Sequence, residues 1–499
     1  MGRYNFIFIF NLKRKGIETM ENSKRQSVKV VARTFETQNN SKEETDNMNK
    51  ELTILSGKAA GVCYMPDDYM ENGIQNEDKA FSRAEQTAEN GHHSVYDHGH
   101  ISFVIKTNKM MCMILNSLGV YATSEKSARY TKMQPETKLE ADLYDKWKVK
   151  IQKLILHKYP DIDDDFLSTK ICKQMGVEKS RIVNEGKVTL KDDDWLQDEL
   201  AEIKNKFKDT LPSSKLAQEN ARYMISVFTP TTMMYTVSFR QTFLIMDYLA
   251  ELVNNCGHAE DTFSKKLLNS VTELLTELSK AVGDAKLHDN KNQYIRFLEA
   301  QHLGETIGEM DKTDFKLYDD LDKRLQQKKI SFTNSYTLVY TGSLAMLAQA
   351  QRHRTLRYTM RLQEPGERGY YIPEIVKDAG LSAEWLMDIA SVAYCIPQGT
   401  MVRITEQGLF EDFVLKCKER MCGRAQLEIM KQTTSSIKGF INNKENLSYT
   451  NQKLLESITL DSDSRDCEGL TPCARCQFKD FKCSEGCNWG AKEALTRYI

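Results

Sequence analysis

An α+β fold built from two divergent copies of one unit is what this sequence predicts, and three observations carry it. Short runs with strand-like alternation sit beside longer stretches with apolar residues at helical spacing. The order strand-like run, apolar helix, polar or basic loop, later helix occurs twice, from about residue 100 and again from about residue 337. A cysteine-rich segment follows the second occurrence. The expected organisation is a variable extension (1–50), a first copy (51–288) interrupted by a charged insertion (about 135–215), a second copy (289–445) and a small Cys-rich end (446–499). In each copy, helices would pack with an antiparallel or mixed sheet.

Composition limits the function classes. The 499 residues are 40% hydrophobic, enough for a large core, and 28% charged with a net charge of -1. That balance argues against bulk binding of nucleic acid, which needs a basic surface. No apolar run approaches the roughly 18–20 residues that span a membrane. Residues 5–10 (NFIFIF) precede Lys13, Arg14 and Lys15, whereas a signal peptide places its charges in front; a first strand or a disordered extension is expected. Of twelve cysteines, five crowd into 467–487 and the rest scatter through apolar or helical contexts. This pattern predicts reduced thiols in a cytoplasmic protein with one local metal cluster.

Taken in order, residues 27–32 read as a strand and 37–50, charged and Asn-rich, as a loop. Residues 78–89 have helical composition and end at Asn90-Gly91. His92, His93, Ser94, Asp97 and His98 follow in a polar cluster whose spacing fits a metal poorly and a ligand-facing wall better. Residues 101–105 (ISFVI) read as a strand and 109–118 as a buried, Met- and Cys-filled helix. In Ser124-Glu125-Lys126-Ser127-Ala128-Arg129-Tyr130, an extended chain puts Glu125, Ser127 and Arg129 on one side. That makes a polar ligand wall; the plainer reading is an exposed edge strand. The insertion reads as helices with solvated faces. Ala221-Arg222-Tyr223 leads to a turn or strand start at 229–232, an amphipathic helix at 237–253 and another helix at 263–282. A linker at 289–292 and a charged, mostly helical stretch to about 329 are expected next.

In the second half the apolar run 337–347 leads into Gln349-Ala350-Gln351-Arg352-His353-Arg354. A basic helix end complements the helix dipole; two arginine forks also suit a phosphate or an anionic ring. Residues 364–369 form a turn-rich loop, 381–393 a helix, and Ile396-Pro397 precedes a strand (TMVRI). A single long helix at 409–429 would carry Arg420, Arg424, Gln426 and Glu428.

Together these segments resemble the flavin-dependent thymidylate synthases. The first half matches from Gly91 to Tyr130 (GHHSVYDH, ISFVI, SEKSARY), and again at Ala221-Arg222. At the place of the family's Arg-His-Arg triplet it holds Ser117-Leu118-Gly119. The second half keeps Gln349 and Arg352-His353-Arg354, then Arg420 and Ala425-Gln426-Leu427-Glu428-Ile429. At its Glu-x-Ser-x-Arg positions stand Met360, Leu362 and Glu364, and at the Ala-Arg place Val392-Ala393. Each half keeps what the other lost. The resemblance implies an α+β homotetrameric fold with active sites between subunits, so a fused chain would form a homodimer that mimics the tetramer.

It also implies reductive methylation of dUMP to dTMP, with methylenetetrahydrofolate as carbon donor, FAD as cofactor and NADPH as reductant. Arg420 would face the uracil carbonyl where negative charge develops. Gln349, Arg352, Glu125, Ser127, Arg129 and Arg222 would bind dUMP. His92, Ser94, Arg240, His353 and Arg354 would bind FAD. The asparagines the family places near its flavin arginine are Ser238 and Leu244 in one half, Leu409 and Leu415 in the other, where the arginine is Glu411; Asp97 replaces a glutamate. A non-catalytic nucleotide- or flavin-binding paralogue, and a flavoenzyme acting on another pyrimidine nucleotide, stay open as alternatives. Separately, the spacing of Cys473, Cys476, Cys483 and Cys487 suits zinc, an iron–sulfur cluster, or free thiols.

Overall fold

The computed structural model describes residues 26–34, 41–64, 76–89, 93–127, 134–184, 190–256, 261–283, 315–318, 335–353, 355–363, 368–464, 467–481 and 487–499. The N-terminal apolar run, His92, Arg129, Arg354, Cys483, the linker at 289–292 and residues 364–367 lie outside them. The first half is built from β1 (Ser27–Arg33), α1 (Lys42–Tyr64), α2 (Glu77–Glu89), β2 (His100–Asn108), α3 (Lys109–Leu115) and β3 (Ala122–Glu125). The insertion supplies α4 (Lys138–Lys158), α5 (Asp164–Met175), α6 (Asp194–Phe207) and α7 (Pro212–Ala221). β4 (Pro230–Ser238), α8 (Phe239–Cys256) and α9 (Thr262–Val282) complete it.

The second half has β5 (Phe315–Tyr318), β6 (Ser335–Ser343), α10 (Leu344–Ala350), β7 (Arg357–Leu362), α11 (Glu374–Asp378), α12 (Ser382–Ser391), β8 (Met401–Leu409) and α13 (Phe410–Arg420). The end comprises α14 (Leu427–Asn442), α15 (Tyr449–Ser457), β9 (Thr459–Ser464), β10 (Cys467–Pro472) and α16 (Gly490–Glu493).

Two four-stranded antiparallel sheets run in the same order, β1-β2-β4-β3 and β5-β6-β8-β7. Their central pairs match in length and register. Ile101 faces Val237 as Tyr336 faces Gly408, and Asn108 faces Pro230 as Ser343 faces Met401. Each central strand turns directly into a short buried helix. Asn108 caps α3 by accepting from Met111 N, and Ser343 caps α10 by accepting from Met346 N, both at 3.0 Å. These caps occupy backbone donors that the helix start leaves unpaired.

The two halves meet along matching segments before β4 and β8. Val227 N donates to Ile396 O and Gln398 N to Ile225 O, both at 2.8 Å, around a bridge between Ser226 and Pro397. From this crossing the helices are held alike: Met110 N donates to Val227 O at 2.9 Å, Ala345 N to Gln398 O at 3.0 Å. One apolar core fills the first sheet and its helices, with Ile101, Phe103, Ile105 and Leu274 inside. A second, larger core joins the second sheet to Trp147, Tyr223 and Ile225 from the first half. In the first core, α1 and α2 approach so closely that a Cβ on Gly57 would lie 1.7 Å from Ala80 O.

The insertion is helical as expected, with a small core of its own around Leu167, Ile171 and Leu200. One face of α4 is not solvated: Trp147 is buried edge-on against Trp385 of α12 (centroids 4.8 Å), and its Nε1 donates to Asp388 at 2.7 Å.

Four local expectations are corrected. Residues 42–50 open α1 instead of a loop, because Asn49 donates to Val282 O at 2.6 Å and packs the helix on α9. Residues 237–238 finish β4 before α8 begins, and 315–318 pair as a strand with β6. The expected long helix 409–429 is two helices, α13 and α14, with a bend at 421–426. That bend is held from outside: Arg475 N donates to Met421 O at 2.7 Å, and Arg497 Nη2 to Ala425 O at 2.6 Å.

Candidate active site

Gln349 sits in the last turn of α10, buried at 7% exposure. Neither its Oε1 nor its Nε2 has a hydrogen-bond partner. Arg420, the last residue of α13 and also buried, donates from Nη2 to Gln349 O at 3.2 Å. The chain then turns: His353 N donates to Ala350 O at 2.9 Å, which leaves Arg352 exposed and folds His353 back inside. The imidazole Nε2 is buried without a hydrogen bond, 3.7 Å from Glu419 Oε2. Burial, and then the positive charges of Arg420, Lys416 and Arg352, push its pKa down to about 2, so the ring is neutral. The cluster therefore offers cations, a neutral imidazole and an amide with both ends unsatisfied. An amide buried this way suits a polar ligand that donates and accepts.

The first half reaches this cluster through the loop before β3. The Tyr121 hydroxyl shares its one proton between Asn116 O and, at 3.2 Å, Gln351 O, and Gln351 Nε2 donates to Met113 O at 3.0 Å. Four residues beyond Tyr121, at the end of β3, the carboxylate of Glu125 is ion-paired to Lys109 Nζ, and partly buried Ser127 follows. β3 is an edge strand, as in the plainer local reading, but it ends at Glu125, whose side chain is buried rather than exposed.

Arg222 is buried and donates from Nη2 to Gln426 Oε1 at 2.5 Å. Gln426 Nε2 donates to Tyr223 OH, whose own proton goes to Glu428 Oε2 at 2.8 Å. Glu428 also accepts from Ser343 N (2.8 Å) and Ser343 Oγ (2.6 Å). Burial raises the carboxyl pKa against the pull of Ser343, Tyr223 and Arg222. One chain of hydrogen bonds thus links Arg222 of the first half to the cap of α10, which carries Gln349. Tyr121, Tyr223, Gln426 and Glu428 were not among the expected site residues. The Ala-Gln-x-Glu-Ile run was the available signal for the last two; nothing local distinguishes the tyrosines.

Ser94 and Arg240 form a separate group. Ser94 is exposed on the 3-10 turn His93–Asp97, and Arg240 Nη1 donates to Asp97 Oδ2 at 2.9 Å. Asp97 Oδ1 accepts from Ser238 Oγ at 2.6 Å, so the aspartate holds the last residue of β4 and a residue in the first turn of α8. A partly exposed arginine held by the turn that carries the exposed Ser94 hydroxyl fits an anionic cofactor group.

At the C-terminal end Cys473 is buried, and burial, then Cys476, pushes its thiol up to about 12. Cys476 and Cys487 are exposed. Among the described residues these three are not gathered as metal donors; Glu136, Glu140 and Cys395 have ligand atoms within 4.8 Å of one another. No described helix is long and apolar enough to cross a membrane.

No curated protein matches the chain. Residues 25–259 match the model of a family described as thymidylate synthase complementing protein, the half that holds Glu125, Ser127, Arg222 and Arg240. Over residues 25–259, just under half of its length, the chain is thus similar to the thymidylate synthase complementing protein family.

Proposed function

We propose that the chain is a flavin-dependent thymidylate synthase that converts dUMP to dTMP, with methylenetetrahydrofolate as carbon donor and NADPH as reductant. The observation that carries this reading is the buried, unpartnered amide of Gln349 beside Arg420 and neutral His353, reached from the family-matched half through Tyr121 and Arg222. Reduced FAD, when bound, supplies the hydride. Arg420 stabilises negative charge on the uracil carbonyl, in a buried setting where such a contact is strong. Arg222 and Arg352, with Arg129, hold the nucleotide, and Gln349 pairs with its polar edge. Ser94 and Arg240, with His92 and Arg354, hold the flavin. A neutral His353 hydrogen-bonds there without adding charge.

The matching sheet orders, registers and helix caps support descent of the two halves from one duplicated unit. The half with Gln349 and Arg420 then supplies one part of each site, and the half with Glu125 and Arg222 the other. Two such chains form a homodimer with two working sites.

Purification tests the reading. A yellow protein that oxidises NADPH faster with dUMP, and yields dTMP, is expected; a protein that binds no FAD overturns it. Because Arg222 and Gln426 bond within one chain, mixing the inactive variants Arg222→Ala and Arg420→Ala is expected to restore no activity. Recovery on mixing would mean that sites form across chains.

A further inference from the structure

The half that carries Arg420 also encloses an ion pair. Glu406 on β8 and Lys416 on α13 have no side-chain exposure, with Nζ and Oε2 2.6 Å apart. Tyr336 OH donates to Glu406 Oε1 at 2.8 Å, and Tyr340 OH to Oε2 at 2.7 Å. Lys416 precedes Arg420 by four residues, one helical turn on the same face of α13.

The other half provides an internal control. Glu406 faces Leu338 on β6 and Tyr358 on β7; Tyr235 faces Phe103 on β2 and Thr123 on β3. Tyr235 therefore holds the place of Glu406. Counting from Phe239 and Phe410, which open α8 and α13, Ile245 holds the place of Lys416 and Leu249 that of Arg420. By strand register, Ile101 and Ile105 stand where Tyr336 and Tyr340 do. All five are buried. This layer of sheet and helix closes without charge where the arginine is missing. Burying two ions costs several kcal/mol each before their attraction offsets it, and apolar replacement is often neutral or stabilising. Folding alone does not call for the pair.

We propose that Glu406 and Lys416 are positioning residues, whose directional bonds fix the rotation of α13 on β8 so that Arg420 stands at Gln349 and the nucleotide. The proposal rests on the reading that Arg420 contacts dUMP. Apolar packing permits a helix to slide or rotate slightly, whereas a buried ammonium on a carboxylate already fixed by two tyrosines does not. A misplacement near 1 Å at a reacting group costs up to about a hundredfold in rate.

The test is the near-isosteric double variant Glu406→Gln/Lys416→Met, with Lys416→Arg as the conservative control. The double variant is expected to keep its Tm and lose about ten- to a hundredfold in kcat, with a smaller change in the KM for dUMP. Its crystal structure is expected to show Arg420 Nη2 moved from Gln349 O, 3.2 Å away here. Lys416→Arg is expected to retain kcat within about threefold; if the double variant does not fold, Tyr336→Phe/Tyr340→Phe, which frees the Glu406 carboxylate, takes its place, and loss of kcat at unchanged Tm supports the proposal while full activity overturns it. Unchanged kcat and an unmoved Arg420 in the folded double variant overturn it as well. If the unmodified protein makes no dTMP, the functional reading fails on its own, and the position of Arg420 in the variant still decides the structural claim.

Discussion

Replacing Gln349 with methionine separates folding from function. The side chain is buried at 7% exposure with both amide atoms lacking hydrogen bonds. Burying a side-chain amide without hydrogen bonds costs about 1–3 kcal/mol. Methionine keeps the length of the chain and removes both polar atoms, so Gln349→Met is expected to stabilise the ligand-free protein by about 1–3 kcal/mol. For a cooperative unit of roughly 150–250 residues that raises Tm by about 2–4 °C per kcal/mol. On the proposed function, the same change deletes two hydrogen bonds to the nucleotide. At about 0.5–1.5 kcal/mol each, dUMP affinity falls roughly 5- to 150-fold. Differential scanning fluorimetry and equilibrium dialysis with dUMP read the two effects. A lower Tm with unchanged dUMP binding would refute the argument, since Gln349 would then be a packing residue.

Two other expectations concern stability. Glu428→Ala strands Ser343 N, Ser343 Oγ and the Tyr223 hydroxyl proton, so a loss of about 3 kcal/mol or more is expected in urea unfolding; a loss under about 1 kcal/mol would mean the network relaxes without it. His353 has its folded pKa pushed down to about 2, so its contribution to stability is present above its unfolded value near 6.5 and is lost as pH falls below that toward 2. Below about pH 5.5 the loss approaches about 1.4 kcal/mol per pH unit, and His353→Gln is expected to abolish that part of the slope. Equal pH dependence in the two proteins would show that the imidazole titrates alike in the folded and unfolded states.

Much of the fold was legible because neighbours in sequence decide it. The alternation in ISFVI places Ile101, Phe103 and Ile105 on one face, and they fill one core. The helix predicted at 78–89 and the charged helical insertion follow from the same local rules. Errors arose where distant residues decide. Residues 409–429 read as one helix with Gly423 as the one local hint of a break; Gly423 packs against Trp489 and Cys487, and Arg475 and Arg497 occupy the backbone groups of the bend. Residues 42–50 look like a loop until α9 gives them a surface.

The same division applies to the site. The sequence by itself determined its chemical inventory: Gln349, His353 and Arg420 in one half, Glu125, Ser127 and Arg222 in the other, because residue identity and spacing are local properties. Only the tertiary structure decided that Arg420 lies against Gln349, that Tyr121 and Gln426 join the halves, and that Asp97 holds Arg240. It also turned an apparently solvated basic triplet into one exposed arginine and one buried histidine. The physical reason is that burial and hydrogen bonding depend on which segments meet across the crossing at Ser226 and Pro397, a pairing 171 residues apart in the chain.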